Sequence, residues 1–177
     1  MLRVGELTAT VWDCFMEEQL ILELKPIGII HSPYKSRYEA PYQGSRGKEI
    51  CQVEIFKEFE QGLKDIEGFS HIILIYYFHK SAGYHLLVTT PWDATPHGLF
   101  TTRSPNRPSP LGLCVVELIA RERNILKVKG LDAIDGTPLL DIKPYVPGID
   151  RKDNVKAGWL ENKLKIEKGG CQKGGDR

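Results

Sequence analysis

Alternating apolar and polar positions through the middle of the chain predict a β protein. In the segment 50–56, Cys51, Val53 and Ile55 share one face while Gln52 and Glu54 share the other. This period of two residues is typical of a half-buried strand. Apolar and β-branched runs predict further strands at 26–31, 71–80, 97–103 and 138–146, and a hairpin with arms 113–120 and 125–131.

One stretch has helical rather than strand periodicity. Phe56, Phe59 and Leu63 recur at helical spacing in the segment 56–69, and Gly62 and Gly68 punctuate its end. We therefore expect a single short helix packed on the sheet. A doubly wound α/β fold needs strands and helices in alternation, so this pattern excludes it. The predicted fold is mainly β, a mostly antiparallel β-barrel or a sandwich-like sheet with one short helix.

Composition and charge narrow the class of protein. The 177 residues are 41% hydrophobic and 27% charged, which is ordinary for one globular domain. The 24 Lys and Arg against 23 Asp and Glu give a formal charge of +1, which excludes a globally basic nucleic-acid coat but allows a local basic patch. No apolar run approaches the roughly 20 residues of a membrane span, and no signal peptide is recognisable. We therefore expect a cytoplasmic protein without membrane contact.

Cysteine and histidine spacing offers no metal site. Cys14, Cys51, Cys114 and Cys171 form no CxxC pair, and no HExxH or HxH motif occurs. A zinc ribbon and a disulfide framework are therefore both disfavoured. We expect most of these cysteines to be buried as small apolar side chains.

The two ends of the chain differ from its middle. Residues 1–24 hold five acids against one base and are expected to form an N-terminal appendage. Residues 25–160 form the predicted barrel domain. Residues 161–177 form a tail whose last segment, KGGCQKGGDR, has no large apolar side chain to offset its chain entropy, so we expect disorder at its end.

The loop 31–48 combines basic and aromatic side chains. It carries four bases against the single acid Glu39, with three tyrosines interleaved; the bases are Lys35, Arg37, Arg46 and Lys48. Such a pattern suits a phosphate backbone with unstacked bases. A solvated loop whose tyrosines pack on the sheet is the structural alternative, and charge pattern alone favours it.

Two further stretches are candidates for binding. The loop 103–110, RSPNRPSP, holds Arg103, Asn106 and Arg107 together with three prolines that stiffen it. Rigid loops on a scaffold often carry function, although a plain connector is the alternative. The turn DAIDGTP carries Asp132 and Asp135, which either form turns or grip a ribose diol.

The segment GLFTTRSPNRPSPLGL resembles the hallmark of the TsaA-like family, also called the TrmO or YaeB-like family. The segments PIGIIHSPY, APYQG, IEGFSHIILIYYFHK, DGTPLLDIKPYVPGID and GW match that family in the same order. The match covers about residues 25–160. The resemblance implies a non-Rossmann β-barrel methyltransferase that forms a homodimer and binds S-adenosylmethionine near the subunit interface.

The same resemblance implies a reaction and a set of site residues. The reaction is methyl transfer to N6 of threonylcarbamoyl-adenosine at position 37 of tRNA, in the anticodon loop. The implied cofactor-binding residues are Pro41, Tyr42, Gln43, His79, Lys80, Arg103, Leu113, Asp132, Ala133, Ile134 and Asp135. Tyr42 stands where some members have arginine.

Substrate contacts follow from residue chemistry. A side-chain amide such as Asn106 can accept a hydrogen bond from the target amine and localise its lone pair. Arg107 and the basic residues of loop 31–48 are assigned to anticodon-loop phosphates. Two rival functions stay open at this stage: a cofactor- or RNA-binding barrel without turnover, and a small-molecule transferase or hydrolase that uses His79 as base.

Overall fold

The computed structural model describes residues 23–161 and 163. The predicted appendage therefore lies almost wholly outside the described residues, as does most of the predicted tail. In chain order the described strands are β1 (Gly28–His31), β2 (Ile50–Ile55), β3 (His71–Tyr77), β4 (Leu87–Thr90), β5 (Asp93–Gly98), β6 (Leu111–Glu122), β7 (Ile125–Lys129) and β8 (Thr137–Pro144). A short α-helix, α1, spans Pro147–Asp150.

Six of these strands close into an antiparallel barrel in the order β1-β2-β7-β6-β3-β8, with β8 returning to pair with β1. The mainly β, antiparallel barrel that the sequence predicted is therefore confirmed. The predicted hairpin is also present, with β6 and β7 joined through Arg123, whose φ of 58° makes the tight turn.

The barrel interior is filled by the inward-facing residue of each alternating pair. On β2 these are Cys51, Val53 and Ile55, and the same alternation runs along β3 and β6. Burial of these side chains is the main stabilising contribution to the fold, at about 25 cal/mol per Å² of apolar area. Of the four cysteines, Cys51 and Cys114 are described, and both are free and buried in this core, as the sequence predicted.

Two sequence predictions were wrong in detail. The single helix over 56–69 is instead two 3₁₀ segments, Lys57–Leu63 and Ile66–Gly68. Asp65 between them has a φ of 67°, a left-handed conformation that no α-helix can contain. The strand predicted over 97–103 is also wrong, because Leu99–Thr101 forms a 3₁₀ turn.

The prediction missed a small hairpin outside the barrel. Strands β4 and β5 pair only with each other, and Pro91 and Trp92 form the turn between them. Pro96 lies within β5, where the missing N–H is tolerated because the strand is at a sheet edge. Among the residues that the structure describes, none of the helices has the length and apolar character needed to cross a membrane.

Candidate functional site

A cleft opens at the end of the barrel where β3 finishes and β6 begins. Its cavity volume is about 290 Å³. Residues from four parts of the chain line it: loop 31–48, the end of β3, the proline-rich loop with the start of β6, and the turn after β7. These are Tyr42, Gln43, Tyr76, Phe78, Thr102, Arg103, Ser104, Arg107, Leu111, Gly112, Leu113 and Asp132.

A carboxylate and a buried tyrosine form the inner wall of this cleft. The Tyr76 hydroxyl donates a 2.6 Å hydrogen bond to Oδ1 of Asp132. The backbone N–H of Gly44 also donates to the Asp132 carboxylate. Because Tyr76 is only 1% exposed, its hydroxyl has a fixed position from which to orient the carboxylate.

Burial dominates the electrostatics of this wall. Desolvation raises the pKa of Asp132 above its ordinary value, although hydrogen bonds from Tyr76 and Gly44 and the charge of Arg103 act in the opposite direction. Burial, together with the neighbouring Asp132 charge, raises the pKa of Tyr76 as well. Tyr76 is therefore a permanent hydrogen-bond donor to the carboxylate rather than a proton-transfer group at neutral pH.

The tyrosine ring keeps its place because β6 has a glycine opposite it. Gly112 pairs with Tyr76 in the β3–β6 register. A Cβ atom at Gly112 would lie 2.2 Å from a ring carbon of Tyr76, far inside van der Waals contact. The glycine thus creates the space that the ring occupies.

The proline-rich loop forms the opposite wall and is braced internally. Nη1 of Arg107 donates to the carbonyl oxygen of Thr102 at 3.0 Å, and its guanidinium lies 5.7 Å from the centre of the Phe100 ring. Nη1 of Arg103 reaches across the cleft to Oε1 of Gln43 at 3.3 Å. The two arginines of this loop therefore both line the cleft, and Asp132 supplies the single carboxylate among its lining residues.

Five of the predicted cofactor-binding residues meet in the cleft: Tyr42, Gln43, Arg103, Leu113 and Asp132. Pro41 is partly buried directly before Tyr42. His79 and Lys80 follow Phe78 at the end of β3, with Lys80 exposed. The Nδ1 atom of His79 is buried and has no hydrogen-bond partner in the described part of the chain.

The rest of the predicted turn faces away from the cleft lining. Ala133 is buried in the barrel core, and its carbonyl oxygen accepts a hydrogen bond from the Ser32 hydroxyl at 2.8 Å. The carbonyl oxygen of Ile134 accepts from the Thr137 hydroxyl. Asp135 accepts a 2.8 Å bond from Lys35 and a 3.1 Å bond from the Ser32 backbone. Ala133 and Asp135 therefore brace the turn against loop 31–48, whereas the Ile134 bond lies within the turn and the start of β8.

The residues predicted to contact tRNA are dispersed. Arg107 lies in the cleft, whereas Lys35 is ion-paired to Asp135 and Arg37 lies over the ring of Tyr38. Lys48 is exposed, and the backbone of Arg46 ends a short 3₁₀ helix. Lys35, Arg37 and Lys48 are therefore not among the residues that line the cleft.

Asn106, the predicted amine-positioning residue, does not line the cleft. Its Oδ1 accepts a 2.9 Å hydrogen bond from the Ser81 hydroxyl, and the same hydroxyl lies 2.9 Å from the carbonyl oxygen of Pro105. The Asn106 amide is therefore held in place by the segment that follows β3. An amide oxygen has a second lone pair, which stays available for a further donor.

Sequence reasoning missed several lining residues, above all Tyr76 and Gly112. The available signal was weak: Tyr76 continues the inward alternation of Ile72 and Leu74, which identifies a core position but no partner. Among the residues that the structure describes, no group of three or more His, Cys, Asp or Glu side chains could hold a metal ion.

Comparisons with known proteins identify the relatives of this chain. Residues 29–151 match the family described as the tRNA-methyltransferase O N-terminal domain. A probable S-adenosyl-L-methionine-binding protein of Pyrococcus abyssi is 53% identical over 84% of this chain and 82% of its own length. The tRNA (adenine(37)-N6)-methyltransferase of Escherichia coli is 32% identical over 79% of this chain and 64% of its own length.

A solved structure shows the same fold. The crystal structure of TrmO from Pseudomonas aeruginosa superposes with a TM-score of 0.67 at 31% identity, covering 79% of this chain and 63% of that chain. This chain therefore spans somewhat less than two thirds of that solved chain and of the Escherichia coli enzyme.

Proposed function

This chain belongs to the tRNA-methyltransferase O family, and we propose that it transfers a methyl group from S-adenosylmethionine to N6 of threonylcarbamoyl-adenosine at position 37 of tRNA. The observation that carries the proposal is the cleft at the barrel end. There, residues distant in sequence bring together one carboxylate, two guanidinium groups and an apolar rim. A tRNA substrate is consistent with the cytoplasmic location predicted above.

The chemistry of the cleft fits S-adenosylmethionine. That cofactor carries a carboxylate, an ammonium, a sulfonium, a ribose diol and an adenine ring. Arg103 offers a charge-assisted partner for the carboxylate, and Asp132 offers an acceptor for the ribose hydroxyls or the ammonium. Phe78 and Leu113 provide apolar and aromatic contact for the remaining groups. The unpartnered Nδ1 of His79, beside Phe78, also fits a polar group of a ligand.

When bound, the cofactor would supply a methyl group on a sulfonium sulfur, which would leave as a neutral thioether while the methylated nitrogen loses its proton to water. The main contribution of the protein is then to align donor and acceptor, an effect worth several kcal/mol. The loop 102–107 suits this task because side-chain hydroxyls of Thr102 and Ser104 brace its backbone and Arg107 bonds to the Thr102 carbonyl oxygen. Arg103 is held separately by Gln43. Asn106, held by Ser81, is proposed to accept a hydrogen bond from the target amine.

The tRNA contact is proposed along the cleft and the adjoining basic loop. Position 37 lies in the anticodon loop, where a base is turned outward at lower cost than in a duplex. Arg107 at the cleft, with Arg37, Arg46 and Lys48 on the adjoining loop, would neutralise phosphates on either side of that base.

A homodimer is proposed through the outer face of β3 and β6. This face presents apolar side chains that are 40–59% exposed: Tyr77, Leu111, Leu113 and Val115. Two of them, Leu111 and Leu113, also line the cleft, so a second copy seated here would lie beside the cofactor. Light scattering should give twice the chain mass of 20.0 kDa. The Val115→Glu variant should dissociate, and a monomeric wild-type protein with full activity would contradict the dimer.

Mass spectrometry of tRNA nucleosides tests the reaction. Protein and S-adenosylmethionine with a deuterated methyl group are incubated with EDTA and with tRNA that carries or lacks the threonylcarbamoyl group. Deuterated methyl should appear only on threonylcarbamoyl-adenosine, and Arg103→Ala should abolish the signal by weakening cofactor binding.

Cofactor binding by calorimetry without any methylated tRNA would favour a binding protein without turnover. That alternative has support from the Pyrococcus abyssi relative, whose name specifies binding alone. Activity that does not depend on S-adenosylmethionine would favour the small-molecule enzyme instead.

A further inference from the structure

We propose that Tyr42 and Trp92 form a stacking surface for the unstacked nucleobase that enters the cleft. This inference rests on the proposed function and identifies residues that would receive its substrate. The Tyr42–Trp92 pair combines one residue of the first loop with one residue of the hairpin outside the barrel, so no single sequence motif contains it.

The contact between the two rings leaves most of the Tyr42 ring exposed. The ring centres of Tyr42 and Trp92 lie 5.9 Å apart, with their planes at 64°. This edge-to-face arrangement is favourable for aromatic rings and restrains both of them. Tyr42 nevertheless remains 68% exposed while it lines the cleft. The ring is thus held at the cleft mouth with most of its surface available.

The position of Trp92 gives the β4–β5 hairpin a role. The hairpin has no strand pairing with the barrel, and Trp92 lies in its turn, beside Pro91. The two chains of the hairpin are joined at its opposite end, where Leu99 N–H donates to the Leu86 carbonyl, and the Trp159 ring stacks on His97 of β5 with ring centres 3.9 Å apart. The hairpin thus brings one indole ring against Tyr42, which lines the cleft.

Charge around the pair identifies a nucleobase as the occupant. Two arginines, Arg103 and Arg107, line the same cleft, and the loop that contains Tyr42 has four bases against one acid. An apolar protein segment would gain nothing from these cations. A single-stranded nucleic acid uses both features, because bases stack on aromatic rings while phosphates contact the basic side chains.

The test uses a synthetic anticodon stem-loop RNA with a fluorescent label, titrated by anisotropy against each variant. Tyr42→Ala and Trp92→Ala should each weaken RNA binding by about 5- to 150-fold, the range for losing one base–aromatic stack. Tyr42→Phe should restore binding, because the ring is retained. Calorimetric affinity for S-adenosylmethionine should stay unchanged in Trp92→Ala, because Trp92 is neither in the predicted cofactor set nor in the cleft lining.

The chain contains a matched control at the other end of the barrel. Tyr145 and His71 form a similar edge-to-face pair, with ring centres 6.4 Å apart and planes at 61°, where β3 begins rather than where it ends. Tyr145→Ala removes an aromatic pair of the same kind away from the cleft. It should leave RNA affinity at the wild-type value.

A second stem-loop, with an abasic nucleotide at position 37, assigns the contact to one base. Wild-type protein should bind it as weakly as Tyr42→Ala binds the intact RNA, and the substitution should cause no further loss. Additive losses would overturn the inference. Loss of cofactor affinity in Tyr42→Ala with normal RNA affinity would also overturn it, because the ring would then belong to the cofactor.

The inference and the proposed function fail in different ways. A wild-type protein that methylates tRNA, with Tyr42→Ala and Trp92→Ala equal to Tyr145→Ala, would overturn the stacking surface alone. A wild-type protein that neither binds nor methylates the RNA would overturn both.

Discussion

Asp132 and Asp135 belong to the same turn, yet they lie in opposite environments. Asp132 is directed into the cleft, where burial raises the pKa of its carboxyl despite the hydrogen bond from Tyr76. Asp135 is directed to the surface, where hydrogen bonds from Lys35 and the Ser32 backbone lower the pKa of its carboxyl.

The comparison separates a binding carboxylate from a bracing one. Asp132 retains a free face toward the cleft, so its charge is available to a ligand. Asp135 is already engaged by Lys35 at 2.8 Å and ties the turn to loop 31–35. Identical residue types in one motif therefore take different roles because of burial and partners, and the following substitutions act on one side of the comparison at a time.

Gly112→Ala should have the largest effect on stability, because it displaces the buried tyrosine that donates a hydrogen bond to Asp132. The new Cβ would lie 2.2 Å from the buried Tyr76 ring and push the hydroxyl away from Asp132. We expect the free energy of unfolding to fall by about 3 kcal/mol, the upper end of the usual overpacking cost. Urea denaturation measures this. Gly62→Ala is the control, since a Cβ there meets no atom within 4 Å, and an equal loss in both variants would contradict the packing argument.

Tyr76→Phe should cause the next largest loss in the free energy of unfolding. It keeps the ring against Gly112 but removes the donor to Asp132, at a cost of about 1–3 kcal/mol for a buried group that loses its partner. Since that hydrogen bond lowers the Asp132 pKa, the variant should raise it further. The stability difference from wild type should therefore shrink in acid, where Asp132 is protonated. A difference that does not depend on pH would show that the hydroxyl acts only through packing.

Asp132→Asn and Asp135→Asn should change the pH dependence of stability in opposite directions. The Asp132 pKa is raised on folding, so its contribution is full below the unfolded value near 3.8 and is lost as pH rises through the folded pKa. The Asp135 pKa is lowered, so its contribution is present above 3.8 and is lost as pH falls through the folded pKa. Relative to wild type, Asp132→Asn should gain stability with rising pH and Asp135→Asn should lose it. Melting temperatures between about pH 3 and pH 7 measure both slopes, and slopes of equal sign would refute the contrast.

Lys35→Met should have the smallest effect on stability and should change the environment of Asp135 but not that of Asp132. Removing the ammonium should raise the Asp135 pKa toward its ordinary value, because the Lys35 hydrogen bond is the main cause of its depression. The free energy of unfolding should change by less than about 1 kcal/mol, as for exposed ion pairs. NMR titration of the two carboxyl groups measures this, with Asp132 as the internal control. A matching shift at Asp132 would mean that the two environments are coupled.

Local patterns in the sequence were sufficient for most of the barrel strands. The alternation of Cys51, Val53 and Ile55 identified β2 and its inward face, because successive side chains of a strand point to opposite sides. Pro96 inside β5 argued against a strand, because proline cannot donate to a strand ladder, and the outer hairpin was therefore not predicted. The family motifs located Gln43, Arg103 and Asp132, which the structure brings to one cleft.

By itself, then, the sequence determined most of the barrel strands, the barrel class, the family and the residues that carry charge near the cleft. Only the tertiary structure decided that Tyr76 meets Asp132, that Gly112 makes room for the tyrosine ring, and that Trp92 reaches Tyr42. The physical reason is distance along the chain. Periodicity reports which face of a strand is buried, but the closure of β8 onto β1 and the folding of the hairpin set which distant side chains come within contact.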